Sequence, residues 1–585
     1  MFFSEKIKHI ARNTKKERKK IMKKEMETVY KNKDNVVYTI SNDLNSCYDI
    51  DVPDDVETVM LGIREDETIR TGALILAFNL VKSEKSFPNV KKLIIGSHIF
   101  HISILNALFP NVREVISYSK HFDSGKYIVH LTDSYSPMKL LYNSFCLGPD
   151  EVLNLEGIHL IEANALDGCQ TTKVINANKT KILDRQALHG SAFEQLKAGH
   201  NQCLLLGNFV IGVDENAEEL EIPSDILGVI SGINIDHVHR LVVYDIDMVS
   251  RFCGVPDILV LAKDVQTPSS RITHSKLGRL GKMIFEVEKG NAHLKAVDGV
   301  LYSKYGTFLY RVPETKTGHF IVPDGVETIF EYAFANSKID SVSFPDSLKK
   351  IKRHAFEDCE YLKDIDFGNG IEVIGVHKSR MYDSSVFNGC SSLKHVTFPK
   401  QIKEIGRMAF KDSGLEKVEL NKGLKLIGEA AFAYCKIKTL RIPASVYDVD
   451  YMAFAGVDYV VFENESMTTS AAFALITEQI GTVHVTAGNE SIYIMSPTMK
   501  ECLDGSVRTM DDMKRFAEEK AITMAEFLIK KDDSNGFKKM LEINDYCYDT
   551  LKSILDNIQI DNAVCMAYLM DKIEKKREAE DEFSM

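Results

Sequence analysis

The chain has 585 residues, 44% of them hydrophobic and 27% charged, with a net charge of −12. At roughly 100–200 residues per domain this is too long for one ordinary core, and the composition is too apolar for disorder over most of its length. The acid excess argues against a nucleic-acid-binding body.

Residues 1–33 reverse that sign, with twelve Lys/Arg against four Glu. The cations cluster at Lys15, Lys16, Arg18, Lys19, Lys20, Lys23 and Lys24. Residues 1–35 therefore read as a basic helical extension. Two readings stand: a solvated helix, or an arm for an anionic surface, either membrane or nucleic acid. No aromatic residue interleaves the basic run, which gives nucleic acid little support. The segment has neither the apolar run nor the small-residue cleavage site of a secretory leader. No stretch reaches the ~18 apolar residues of a membrane span. The expected location is the cytoplasm. Eleven cysteines, an odd number without a Cys-x-x-Cys pair, imply neither a zinc ribbon nor a complete disulfide set.

Residues 36–223 read as an N-terminal cap followed by degenerate repeats. FPNVKKLII (87–95) returns as FPNVREVIS (109–117), and Leu166 and Leu188 are 22 apart. CLLLGNFVIGVDENAEELEIP (203–223) reads as a hairpin leading into a strand. Residues 224–320 look irregular, with a turn at 277–282 before the strand MIFEVE and a second hairpin at 298–313.

The regular repeats occupy 321–465. Phe334, Phe356, Phe387, Phe410, Phe432 and Phe454 follow Ala (Val386 in one case) at spacings of 22, 31, 23, 22 and 22. Pro323, Pro345, Gly368, Pro399, Asn421 and Pro443 mark a second position with one long interval of the same size. That interval places an insertion near 376–385, where Arg380, Met381 and Tyr382 could make a loop contact. Sets such as Leu362, Ile365 and Phe367 recur as Leu393, Val396 and Phe398, alternating at the end as a half-buried strand does. A period of 22–23 falls in the leucine-rich-repeat range, in which stacked units share one core. Cys359, Cys390, Ser413 and Cys435 sit three residues after the Phe, where small buried side chains fit; structural thiols are the expected reading.

FPDSLKKIKRHAFEDCEYLKDIDF (344–367), FPKQIKEIGRMAFKDSGLEKVEL (398–420) and IPASVYDVDYMAFAG (442–456) resemble BspA-type leucine-rich repeats. The resemblance covers Asp298 to Glu465. It implies a solenoid with short parallel strands on one face and loops or short helical turns on the other. It also implies a surface adhesin-like role, which would require an unconventional export route here.

Residues 466–508 read as a decayed repeat and β cap, and 509–585 as an all-α C-terminal module. Ala563, Ala567, Met570 and Ile573 suggest one helix face, with Asp561 as N-cap. This module is either a cap or a separate interaction domain.

No nucleophile, Walker, zincin or dinucleotide signature appears. His98 and His101, His237 and His239, and Asp245 and Asp247 are close pairs without further ligand partners; the latter two pairs read as sharing strand faces. The expected protein is not an enzyme, takes no cofactor, metal or small-molecule substrate, and binds another protein. The candidate surface is the outward strand ladder. One column is Ser343, Asp366, Thr397, Glu419 and Arg441; its neighbour is Ser341, Asp364, His395, Lys417, Thr439 and Tyr459. A solvated strand face is polar in any case, so a ladder without a ligand is the competing reading.

Overall fold

A computed structural model describes residues 27–41, 46–62, 77–80, 84–132, 137–182, 185–265, 282–375, 384–463, 474–475, 481–487, 489–498, 507 and 509–583. The chain divides into two compact units, Met1–Pro256 and Asp257–Met585.

The first unit opens with an antiparallel meander, Glu27–Lys31, Val37–Ser41 and Ser46–Asp51. The end of the basic segment is thus a strand, which corrects the helical expectation to residue 35. The turn explains why: Asn32 Oδ1 accepts from the backbone N–H of Asp34 and Val36 at 3.0 and 2.9 Å, and Asn35 is left-handed at φ 61°. Residues 1–26, with all seven cluster cations, lie outside the described residues. Parallel pairing follows. Ala77–Asn79 and His101–Ser103 extend the meander, while Thr58–Leu61, Lys92–Ile95 and Glu114–Ser117 form a second sheet. A hairpin at Ile128–Leu131 and Lys139–Asn143, not read from the sequence, leads to Leu160–Ile161 and Lys181–Ile182. The expected hairpin is Cys203–Leu206 with Phe209–Val213. Arg240–Val243 pairs parallel with Glu219–Glu221, so this part of the stretch read as irregular is an ordinary coil.

The second unit holds the regular repeats. Ile258–Leu261 pairs with Ile284–Val287, and three antiparallel strands follow: Leu294–Val297, Val300–Ser303 and Phe308–Arg311. Each later coil then contributes two strands instead of one. The expected face carries Lys338–Ser343, Asp364–Asp366, His395–Thr397, Lys417–Glu419, Thr439–Ile442 and Tyr459–Phe462. The opposite face carries two-residue strands from Thr328–Ile329 to Asp448–Val449, parallel to one another and continuing the sheet of the three antiparallel strands. Two residues are too few for an alternation to register in the sequence.

Between the two sheets the chain turns a corner at each Ala-Phe. The residue two before the Phe is left-handed in every coil: Tyr332, His354, Ser385, Met408, Ala430 and Met452 have φ between 40° and 57°. For an L-residue this costs roughly 1 kcal/mol. The alternating backbone turns every second N–H along the stacking direction. Phe356 N donates to Val386 O at 2.8 Å, Phe387 N to Ala409 O at 2.7 Å and Phe410 N to Ala431 O at 2.8 Å. The rings then stack coil on coil. Phe334–Phe356, Phe356–Phe387, Phe387–Phe410 and Phe410–Phe432 have centroid distances of 4.4, 4.9, 5.1 and 5.7 Å, with interplanar angles of 22° or less. The 31-residue interval leaves the stack unbroken. Residues 376–383, which include Arg380, Met381 and Tyr382, lie outside the described residues.

The small position closes the corner. Cys359 Sγ donates to Phe334 O at 3.0 Å, Cys390 Sγ to Phe356 O at 3.2 Å and Cys435 Sγ to Phe410 O at 3.1 Å. Burial pushes the Cys435 thiol up to about 12 and the Cys390 thiol well above the ordinary range. These are structural thiols. Asn421, standing where other coils have Pro, donates to Pro399 O and Ile402 O at 3.0 and 2.9 Å and accepts from Gly423 N.

Both ends of the second unit's stack are closed by side chains. At the first corner no preceding Phe coil exists, so Arg311 supplies donors. Its buried guanidinium donates to Tyr332 O and, at 3.2 Å, to Ala335 O, and it faces Glu314 at 3.4 Å. At the far end the decayed repeat places Leu475 in the Phe position, where Phe454 N donates to Ala474 O. The hairpin Thr482–Ala487 with Glu490–Met495 follows.

Among the described residues five helices follow: α1 Met510–Glu519, α2 Ala521–Lys530, α3 Ser534–Ile543, α4 Tyr548–Asn557 and α5 Ala563–Phe583. Thr509 and Asp512 form a capping box on α1. Met510, Met513 and Phe516 of α1 join the repeat core, while α2–α5 build a second core around Tyr493 of the last strand. Asn544 presents its amide to that strand as another strand would, accepting from Tyr493 N at 2.8 Å and donating to its O at 2.6 Å. The module is therefore both a cap and a core of its own. Two helix expectations are corrected. Asn562, not Asp561, caps α5 by accepting from Val564 N and Cys565 N. The buried face is Cys565 and Leu569 with partly buried Ile573, whereas Ala563, Ala567 and Met570 are exposed. The apolar residues recur around α5, so periodicity alone did not fix the face.

Replacing Phe387 by Ala removes a ring from the middle of the stack. It should cost about 3–5 kcal/mol in denaturant unfolding, and Phe387→Leu clearly less because Leu refills most of the volume; equal costs would mean that the ring-on-ring stacking, not the volume filled, carries the stability. In a second check, native protein treated with iodoacetamide should be alkylated at the exposed Cys253 and Cys547 and spared at Cys359, Cys390 and Cys435. Mass spectrometry of the digest reads this directly.

Candidate functional site

The ladder residues stand out because strand geometry alternates them with core residues. Val342, Val396, Val418, Leu440 and Val460 point inward and are buried. The register sets Ser341 beside Asp364 and Ser343 beside Asp366. It sets His395 beside Lys417 and Thr397 beside Glu419, and Thr439 beside Tyr459. Arg441 lies beside Val461. Within each sheet the neighbouring members of the two columns lie side by side. The columns are carried by three hydrogen-bonded sheets in succession, breaking between Asp366 and His395 and between Glu419 and Thr439.

The central coils are neutralised internally. Lys417 Nζ lies 2.5 Å from Glu419 Oε1, His395 Nε2 lies 3.7 Å from the same oxygen, and Thr397 Oγ1 donates to Glu419 Oε2 at 3.4 Å. The ammonium of Lys417 holds the Glu419 carboxyl below the usual carboxylate range. Just outside the columns, Lys394 pairs with Glu416 at 3.4 Å. Asp364, Asp366 and Arg441 are exposed and make no ion pair among the described residues.

Two histidines extend the surface beyond the residues read from the sequence. His319 precedes Pro323 by the same four residues that separate Ser341 from Pro345, a spacing that could have identified it. Its Nδ1 meets Ser341 Oγ at 2.9 Å and its Nε2 meets Ser343 Oγ at 3.3 Å. His484 lies past the decayed repeat, where no marker residue sets the phase. Its ring stacks on Tyr459 at 4.1 Å, and Tyr459 Oη bonds Thr486 Oγ1 at 2.9 Å. Tyr459 is consequently half-buried and already partnered.

The other close pairs take structural roles. His237 and His239 flank a turn, not a strand, and His237 Nε2 meets Asp214 O at 3.0 Å. Asp245 lies past the end of the strand Arg240–Val243 and accepts from Asp247 N as the N-cap of a short helix, so this pair shares no strand face. Among the described residues, no three His, Cys, Asp or Glu are grouped to hold a metal, and no helix is long and apolar enough to cross a membrane. The first unit has a cavity of about 410 Å³ beside the strand Phe209–Val213, lined by Arg185, Glu194, Lys197, Asp214, Glu215 and His237 among polar and apolar neighbours. The Asp214 carboxylate is engaged there by the backbone N–H of Asn201 and Asn216.

The family model described as BspA type leucine rich repeat region matches residues 313–378 and 380–496 in six copies. Among solved structures, the pneumococcal vaccine antigen PcpA is similar at 16% identity, covering 75% of this chain and 94% of that one with a TM-score of 0.35. A leucine rich cell surface protein from Faecalibacterium prausnitzii is similar at 18% identity, covering 72% and 94%, with a TM-score of 0.30. No curated protein matches the chain.

Replacing Lys417 by Met should raise the Glu419 carboxyl toward its ordinary range, read by carbon-detected NMR titration. An unchanged titration would mean the pair does not form in solution.

Proposed function

We propose that this chain, which carries BspA-type leucine-rich repeats over residues 313–378 and 380–496, is a non-enzymatic scaffold that binds another protein through its exposed strand ladder. The carrying observation is the register. Within each of three successive sheets it sets neighbouring polar side chains side by side, over one continuous core that includes the Phe, Ala and Cys positions. Solenoids use such extended sheet faces for recognition. The acidic body and the mixture of signs on the ladder suit a protein surface better than a polyanion.

The test immobilises the full chain and a variant with Asp366, His395, Glu419 and Arg441 jointly replaced by Ala. Circular dichroism checks the fold, and proteins retained from the native cell's lysate are identified. The expected result is a specific protein retained by the parent and weakened at least about tenfold by the variant, with hydrogen-exchange protection on strands between 338 and 462. Retention unchanged by the variant, or protection confined to other surfaces, would overturn the assignment. Retention of lipid or nucleic acid alone, lost on deleting residues 1–33, would move the function to the basic arm.

A further inference from the structure

The charges left over on the ladder are sorted by position. At one end Glu360, Asp364 and Asp366 are exposed with one cation, Lys363, among them, a balance of two negative charges, and none of the four makes an ion pair among the described residues. Asp366 Oδ1 does accept from Gly368 N at 3.0 Å. Three coils further on, Lys436, Lys438 and Arg441 are exposed and likewise unpaired among the described residues. Between the two groups, Lys417, Glu419 and His395 are paired with one another, and Lys394 with Glu416. The face therefore has an anionic pole, a neutral middle and a cationic pole.

The coil spacing fixes their separation. Ring centroids step by 4.9, 5.1 and 5.7 Å over the same three coils, which sets the poles about 16 Å apart. An extended chain rises about 3.3 Å per residue, so that span corresponds to about five residues. The separation also exceeds the Debye length of about 8 Å at physiological ionic strength. The poles are therefore screened from each other and act as two separate contacts. A polyanion such as nucleic acid would gain at one pole and be repelled at the other, as would a peptide of a single sign.

We propose that the ladder recognises an extended peptide segment with cationic side chains at one end and anionic side chains about five residues away. This rests on the ladder being the binding surface, and it assigns the partner's charge pattern.

The test uses two synthetic peptides with blocked ends and identical composition. One is Lys-Lys-Ser-Thr-Ser-Glu-Glu, with its charges in blocks, and the other is Lys-Glu-Ser-Thr-Lys-Glu-Ser, with its charges interleaved. Fluorescence anisotropy against the full-length protein, at low and at physiological salt, should show the block peptide favoured by about fivefold or more. The variant Asp364→Lys/Asp366→Lys should abolish that preference. Adding Lys438→Glu and Arg441→Glu to it should restore the preference, because the block peptide can bind turned end for end. Circular dichroism confirms that the variants fold. Equal binding of the two peptides, no binding of either, or a preference indifferent to the Asp364 and Asp366 reversals overturns the charge pattern. Those results leave the lysate capture and its loss in the alanine variant untouched. Failure of the ladder itself shows instead as hydrogen-exchange protection by the captured protein away from the 338–462 strands.

Discussion

One backbone hydrogen bond, repeated once per coil, sets the rest of the regular repeats: the Phe N–H donated to the carbonyl preceding the next coil's Phe. It forms only because the residue two positions earlier is left-handed, which turns the donor along the stacking direction. The same geometry lays each ring on the last and brings each thiol to a Phe carbonyl. The strain at each corner is outweighed by a hydrogen bond and by burial of the aromatic ring. Because every coil repeats the same exchange, the corner continues the stacking even where the outward sheet breaks, between Asp366 and His395 and between Glu419 and Thr439. The outward side chains are free to carry recognition chemistry.

A repeated exchange has unsatisfied ends, and the chain meets this differently at each. Arg311 stands in for a missing coil with its guanidinium, which burial pulls down to about 10 and which therefore stays protonated at neutral pH. At the other end Asn544 stands in for a missing strand with an amide. Each end supplies a side-chain imitation of a backbone edge. The asymmetry follows from what each must satisfy: separate carbonyls at a corner, or both the donor and the acceptor of one residue on a strand.

Much of this was legible in the sequence because it depends on spacing. The Phe and Pro series fix the coil period, and the period with a two-residue alternation is enough to write down both ladder columns, from Ser341 to Tyr459. What escaped depends on conformation. Tyr332, His354 and Met408 do not announce a left-handed backbone as glycine would. The second sheet has two residues per coil, below the length at which alternation can be seen. The hairpin at 128–143 lies among repeats that had lost their Phe. On α5, apolar residues surround the helix, so only packing against α3 and α4 could select Cys565 and Leu569 over Ala567 and Met570. His484 lies where the markers had decayed. The sorting of free charges into poles could not be read from either column alone, since it depends on which neighbours pair.

The stack passes across the 31-residue interval as readily as across those of 22. Val373–Ile374 still pairs with Glu404–Ile405, and Phe356 still stacks on Phe387. Coil register is therefore decoupled from chain length between Gly375 and Ser384. In evolutionary terms this corner is a splice point: segments can be gained, lost or exchanged there while the recognition face keeps its alignment. The same property makes it a natural port for grafting a foreign epitope or a reporter.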